Sequence, residues 1–480
     1  MNESDERPSA SPSAAHTIDR RQFVAASVAF GATALLPFDR ACAEAGSVRV
    51  QEDYANTVLG PILGHVDDTS AMVWMRIPTA GVYRLELFDD GPLRAPTSSQ
   101  RGRTTRAAAR TPAAQLRATA EAASDYCVHW HVKGLRPAAR YTYRVVHAET
   151  GAEVAAHAAQ QLSTAYSNGT PSKVRFAISS CALEDAGSRA IWSQMAAQQC
   201  DAVVLLGDTP YIDSTALAVQ TTRHRAFAAV PEYQALLRST PCWWTWDDHD
   251  FAGNDASGQS VGKENSRTVF QRYRPQPTYG GSDGGIYTSF RRGPLEVFLL
   301  DTRWFSMTGP SWADPVKPTF LGRGQWEWLK AGLRASTAPF KLLACGVIWD
   351  NKENTEADHW GTYAHERRAI ERFLGEERIS GVILAGGDIH ASRVLRYAST
   401  SVVGYDLAQF IASPIHGNTI ASLNVYHPRL VRSAVEPHVF LRVDVDNTIS
   451  PARFDAALIN RRGETVFSYG LSSAELSRPS

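Results

Sequence analysis

From residue 174 onward the chain alternates short apolar runs with amphipathic stretches, and the apolar runs end on one kind of residue. Residues 174–178 stop at Ser179-Ser180-Cys181, and 202–206 stop at Gly207-Asp208. Residues 297–300 meet Asp301, and 381–385 lead to Gly387-Asp388-Ile389-His390. Between the first two runs, residues 190–195 carry apolar side chains at helical spacing, which predicts a β-α-β unit. Further helices are expected over 223–238, with a break at Val230-Pro231, and over 266–273, 321–333 and 364–377. Strands are expected over 286–290, 295–301, 341–349, 381–390, 439–445 and 465–469, the last two edging a second sheet. In open α/β sheets, ligands collect beyond the carboxyl ends of the strands. Four tips that deliver Cys, Asp or His therefore predict one metal centre built from the whole domain.

Residues 51–165 have a different period. Runs at 71–77, 83–88, 129–132 and 141–146 are short and strand-like, bounded by Asp, Thr, Gly and Pro. The spacing Leu135-x-Pro137-x-x-x-Tyr141 resembles the tyrosine corner of fibronectin type III sandwiches. A small β-sandwich of about a hundred residues is expected, without a cluster of ligands. The polar stretch 165–172 reads as a linker. The expected division is a targeting segment over 1–45, the sandwich over 46–165 and a catalytic domain over 166–480.

At 480 residues the chain exceeds what one core usually holds, in keeping with two domains. A formal net charge of +0 supplies no field that would draw it to nucleic acid, so nucleic-acid binding is not expected. The basic run 101–110 reads as a solvated loop. Near the N-terminus, Arg20-Arg21 precedes a modest apolar stretch at 24–36, and Ala41-Cys42-Ala43 and Ala43-Glu44-Ala45 are candidate cleavage sites. This pattern resembles a twin-arginine signal. It implies the twin-arginine export machinery as a partner and a periplasmic or secreted location. That route carries folded proteins, which suits an enzyme that loads its metal before export. No later stretch is long and apolar enough to span a bilayer. The cysteines show no CxxC pairing, and Cys345 reads as core, while Cys127, Cys200 and Cys242 read as small buried residues or, outside the cytoplasm, as partners in a disulfide. Cys181 stands apart because it sits at a strand tip.

The strand-tip residues have chemistry in common. Asp208 is a carboxylate on a tight turn, able to bridge two cations, and the Tyr211 phenolate suits a hard ferric ion. Asp388 and His390 leave one strand tip on the same side. Asp247, Asp248 and Asp250 around His249 would repel one another unless a cation or a base stands nearby. The Cys-Trp-Trp-Thr-Trp run before them argues that they are buried. Asn254 adds a neutral oxygen. Arg303 either pairs with Asp301 or grips a phosphate in bidentate fashion.

Taken in order, SSC, LGDTPYID, WDDHDFAGND, LLDTRWF, LGRGQWEWL and GGDIH resemble the motifs of the alkaline phosphatase D (PhoD-type) metallophosphoesterases, over roughly residues 59–390. The resemblance implies an α/β, calcineurin-like sandwich of two mixed β-sheets flanked by helices, preceded by the fibronectin-like sandwich. It implies hydrolysis of phosphodiesters and phosphomonoesters by a metal-activated hydroxide, at a centre of ferric iron (Fe3+) and calcium (Ca2+). Carried over, Cys181 and Tyr211 would bind iron, and Asp208 would bridge iron and calcium. Asn254, Asp388 and His390 would complete the centre, and Asp301 would hold a further calcium. Asp208, His249 and Arg303 are the expected catalytic residues. The substrate would be a small-molecule or lipid phosphoester, since some relatives act on phospholipids. Two alternatives are a phospholipase D-like phosphodiesterase and a non-catalytic exported binding protein on the same scaffold. The ligand set Cys181, Asp208, Asn254, Asp388 and His390 favours the enzyme. His416 either approaches the site or sits in a turn.

Overall fold

The computed structural model describes residues 54–93, 110–155, 160–352 and 354–479. The expected signal segment and nearly all of the basic run lie outside these residues. Among the described residues, no helix is long and apolar enough to cross a membrane.

Among the described residues, seven strands make the N-terminal sandwich: β1 (Leu59–Val66), β2 (Ser70–Arg76), β3 (Gly81–Pro92), β4 (Ala114–Ala120), β5 (Cys127–Lys133), β6 (Ala139–His147) and β7 (Gln161–Ser163). One sheet has the order β1-β2-β5 and the other β4-β3-β6-β7. Alternating residues of both face inward, so Val73, Leu85, Trp130, Tyr143 and Val145 share one core. The tyrosine corner forms as its spacing predicts: the Arg136 backbone N–H donates to Tyr141 Oη at 2.8 Å.

The sandwich is tied firmly to the rest of the chain. Trp74 Nε1 donates to the Arg272 carbonyl at 2.7 Å, and Arg292 Nη1 donates to the Val66 carbonyl at 2.9 Å. Asp125 takes Arg76 at 3.1 Å and Arg225 at 2.8 Å, so one carboxylate joins the two parts.

The second part opens with β8 (Lys173–Ser179), α1 (Ala186–Ala197) and β9 (Ala202–Leu206), the predicted β-α-β unit. The side chain of Asp185 caps α1 by accepting from Gly187 N and Ser188 N, which satisfies two otherwise orphaned donors. Next come α2 (Leu217–Ala228), α3 (Pro231–Leu237), β10 (Cys242–Thr245), α4 (Asp248–Phe251) and α5 (Lys263–Tyr273). The helix expected over 223–238 is thus two, because Pro231 starts a new helix and forces Val230 out of the helical region. A hairpin of β11 (Thr288–Arg292) and β12 (Leu295–Leu299) follows, then α6 (Gly322–Ala335), β13 (Phe340–Ala344), α7 (Ala364–Glu376) and β14 (Val382–Gly386). The chain closes with β15 (Ser392–Arg396), α8 (Thr400–Val403), β16 (Ala408–Ile411), β17 (Leu430–Ala434), β18 (Val439–Asp446), β19 (Arg453–Asn460) and β20 (Thr465–Ser472).

These strands form two mixed sheets. One has the order β10-β9-β8-β18-β19-β20, the other β11-β12-β13-β14-β16-β15-β17. Strands β9, β13 and β14 are parallel to their neighbours and buried along their whole length, which explains their unbroken apolar runs. Phe176, Val204 and Trp243 of the first sheet meet Phe290, Val297, Leu342 and Ile383 of the second in one core. Trp243 stacks on Phe290 with centroids 3.7 Å apart. The β8, β9 and β10 tips of one sheet and the β14 tip of the other open at the same end. Strand β18 differs from expectation. It pairs with β8 on one side and β19 on the other, so it is central and not an edge.

Candidate metal centre

The backbone at the strand tips is bent in a way few residues accept. Cys181 after β8, Asp208 after β9, and Asp388 and His390 after β14 all have positive φ, of 59°, 52°, 69° and 48°. Such conformations cost of order 1–3 kcal/mol each for a residue with a Cβ and persist where the surroundings over-determine them. Here the tips are stitched together. Cys181 N donates to the Gly207 carbonyl at 3.2 Å, and Ala182 N to the Asp208 carbonyl at 2.9 Å. Gly207 is required at its position, since a Cβ there would lie 2.5 Å from Asp247 N.

The result is a buried cluster. Cys181, Asp208 and His390 each offer a ligand atom within 4.8 Å of the others. Asp208, Asp247 and Asp248 form a second group under the same limit, so Asp208 belongs to both. The Cys181 thiol donates to Asp208 Oδ2 at 3.4 Å. Tyr211 Oη lies 2.8 Å from His390 Nε2 and 2.9 Å from His416 Nε2. The Asp208 Oδ1, Asp247 Oδ2 and His390 Nδ1 atoms are buried and have no hydrogen-bond partner. Orphaned polar atoms converging from several strands, two of them carboxylate oxygens, call for a cation.

The electrostatics agree. Burial pushes the Asp208 carboxyl well above the usual carboxylate range, and the Asp248 carboxylate adds to the shift. Burial, together with Asp208, also pushes the Cys181 thiol well up. The Tyr211 phenol rises for the same reason, with Cys181 and Asp208 beside it. Burial holds the His390 imidazole well below its ordinary value, which keeps it neutral and able to ligate. The protein invests several anionic ligands here and supplies little charge to balance them, the pattern that metal binding relieves.

The cations that do stand nearby serve the outer acids. Arg303, 1% exposed, binds Asp247 through both Nε, at 2.7 Å, and Nη2. The same guanidinium reaches Asp358 at 2.8 Å. This is the basic partner that the acidic run required. Lys352 Nζ sits 2.6 Å from Asp358, 2.9 Å from Glu356 and 2.9 Å from Asp388. One ammonium shared among three carboxylates does not hold Asp388 down, and burial brings it up to about 7. In a third acidic group, Asp255, Glu356 and Asp358, the cations Lys352 and Arg303 pair with Glu356 and Asp358 only, and burial with repulsion from Asp358 brings Asp255 up to about 7.

His249 lies at the rim of this centre. Its ring is 4.5 Å from the Tyr211 ring, and Nδ1 is 2.5 Å from Asp213 Oδ1. Burial would lower its pKa, but Asp248, Asp213 and Asp208 outweigh burial and raise it well above the ordinary value.

Two sequence expectations need correction. Asp301 is not aimed at a metal. Its carboxylate accepts from Trp246 Nε1 at 2.8 Å, Ile286 N at 2.9 Å, Arg303 N at 3.0 Å and Trp304 N at 2.9 Å, so its acceptor capacity is used in fixing the loop after β12. Arg303 does not pair with the Asp301 carboxylate through its guanidinium, nor does it face solvent ready for substrate. It is locked between Asp247 and Asp358 because the buried acids need it more. Asn254 is exposed in the turn after α4. The structure also adds Lys352, Asp358 and Asp213, which no motif marked, and it settles His416 as a neighbour of Tyr211 instead of a turn residue.

Asp301→Asn carries a direct expectation. An amide nitrogen would face N–H donors, which costs about 1–3 kcal/mol of stability. Metal content should stay at the wild-type level. Thermal unfolding and metal analysis check both, and a fall in metal content with unchanged stability would restore Asp301 as a ligand.

Two mixed sheets face to face, with ligands at one common end, define the calcineurin-like class of metallophosphoesterases. Two solved structures have this fold: a structure of PhoD (TM-score 0.68, 19% identity, 88% of this chain and 91% of that one) and the purple acid phosphatase PPD1 of yellow lupin seeds (TM-score 0.61, 12% identity, 87% and 74%). Residues 176–441 match the PhoD-like phosphatase model, and residues 41–161 match the N-terminal domain model of the same family. The chain belongs to the PhoD-like phosphatase family. It is 27% identical over 317 residues to alkaline phosphatase D of Bacillus subtilis (strain 168), an alignment covering 56% of this chain and 54% of that relative, so it spans about half of the relative's length.

Proposed function

We propose that this chain is an exported metal-dependent phosphohydrolase that cleaves phosphodiesters, phosphomonoesters or both. The observation that carries the reading is the position of Asp208. It shares one ligand group with Cys181 and His390 and another with Asp247 and Asp248. The first group, with Tyr211, offers sulfur, nitrogen, phenol and carboxylate, a set that suits ferric iron. The second is all carboxylate, a set that suits a hard ion such as calcium, with Asp388 close enough to raise the Asp208 pKa. Metal held there supplies Lewis-acid charge for phosphoryl oxygens and an acidified water as nucleophile.

The chain's own residues supply the rest. Arg303 and Lys352 hold the outer carboxylates in place, so Asp247 and Asp388 keep fixed directions. Asp213 fixes the ring of His249 through Nδ1, which leaves Nε2–H as the ring's other donor. A phosphoester placed over the cluster would meet this imidazole at the rim, where its Nε2–H can bind a phosphoryl oxygen or protonate a departing alkoxide. The Arg20-Arg21 signal pattern supports a periplasmic or secreted location by twin-arginine export.

The test is an assay of the full chain, loaded with iron and calcium, on the diester bis-p-nitrophenyl phosphate and the monoester p-nitrophenyl phosphate. Release of p-nitrophenolate that stops on chelation and returns with metal is expected. Metal-loaded protein that binds either ester without turnover would overturn the hydrolase reading and leave a binding protein.

A further inference from the structure

The segment between β16 and β17 brings His416 into the centre, and nothing in the strand-tip pattern required this. Ile415 N donates to the Ser180 carbonyl at 3.1 Å, and His416 N donates to the Cys181 carbonyl at 3.0 Å. The segment is thus sewn to the β8 tip beside Cys181. His438 braces it from the other side, its Nδ1 2.9 Å from the Ile415 carbonyl. The His416 ring is buried, at 1% exposure, with its centroid 5.4 Å from that of Tyr211 and 4.6 Å from that of His390.

The tautomer of His416 follows from its two bonds. Asn418 N–H donates to Nδ1 at 3.1 Å, so Nδ1 is the acceptor of the ring. In a neutral imidazole the proton is then on Nε2, the atom 2.9 Å from Tyr211 Oη. Tyr211 has one proton and two lone pairs, and an imidazole nitrogen on either side. If His416 gives a proton to one lone pair, the phenol O–H points to His390 Nε2.

We propose that His416 is a positioning residue for the metal centre: its Nε2–H donates to the Tyr211 oxygen and continues to do so when that oxygen is a phenolate ligand. The inference rests on the iron reading given above and deepens it. Iron held there would take the oxygen as a phenolate, the phenol proton passing to solvent, and the His416 bond would then be charge-assisted and stronger. It fixes the ring direction of Tyr211 and withdraws electron density from its oxygen. Such outer partners tune a centre's colour and potential as well as its affinity. A hydrogen bond lowers the energy of the phenolate donor orbital, so it moves the phenolate-to-iron absorption to shorter wavelength.

The test compares iron-loaded wild type, His416→Leu and His416→Gln by visible absorption. The Leu variant is expected to keep iron and show the band at longer wavelength. The Gln variant, which retains a donor at similar reach, should return the band towards wild type. A Leu band at the wild-type wavelength overturns the proposal. Iron-bound wild type without any such band overturns the Tyr211 ligation and this inference with it. Should the Leu variant fail to fold, nitrogen NMR of histidine-labelled, metal-free full chain decides, with His416→Gln assigning the signal. An unprotonated Nδ1 at His416 supports the proposal, and a protonated Nδ1 overturns it.

Discussion

Asp208→Asn is expected to cut phosphoester turnover by more than the ~100-fold that loss of an outer-shell partner costs at a metal site. Asp208 is 1% exposed, leaves the β9 tip at a φ of 52°, and has Oδ1 free of any partner. It belongs both to the sulfur-and-imidazole group and to the carboxylate group. An amide offers one neutral oxygen and a nitrogen that cannot ligate as a carboxylate does, so one ion should be lost and the other held less tightly. The fold should survive, because burial disfavours the charged carboxylate, and removing that charge relieves repulsion from Asp248 and Asp250. Turnover should fall together with metal content while thermal stability in chelator stays equal to or above that of wild type. Full turnover in Asp208→Asn would exclude the bridging position.

Arg303→Met is expected to have the largest effect on stability, a loss of about 3–5 kcal/mol. The guanidinium is 1% exposed and is the partner of Asp247 and of Asp358. It also stands 3.8 Å from Asp248. Without it, Asp247, Asp248 and Asp358 are buried acids with Lys352 and His249 as the bases left nearby. The Arg303 charge is raised well above its ordinary pKa by those carboxylates, against burial, so the two states differ by the whole network and not by one bond. An arginine that gripped substrate would behave in the opposite way, losing KM or kcat at unchanged stability. Denaturant unfolding of metal-free wild type and variant separates the two cases. An unfolding midpoint unchanged by Arg303→Met would show that the pair is not structural.

Much of the centre was legible because strand periodicity states where a run ends, and the end residues were chemical outliers. Cys181, Asp208, Asp388 and His390 each follow an apolar run, and the structure brings them together. Tyr211 was legible from its spacing after Asp208. The acidic run around His249 announced its need for a cation, but the sequence did not say which. The answer, Arg303, comes from a distant loop, and proximity in the chain pointed wrongly to Asp301 as its partner. Asp301 looked like the other strand-tip acids, yet local backbone donors claim it. Lys352 and Asp358 lie in a segment without periodicity, so only tertiary packing reveals them. The same holds for β15, β16, β17 and β19. Their runs are short, and β16, for one, is buried along its whole length, so no alternation marked it. The split at Val230-Pro231 was readable because proline acts locally.

The most direct measurement is anomalous diffraction at the iron edge from crystals of iron-loaded protein. The account predicts a peak within bonding distance of Cys181 Sγ, a carboxylate oxygen of Asp208, Tyr211 Oη and a nitrogen of His390. Iron bound elsewhere, or a peak that any of these four residues does not reach, would contradict it.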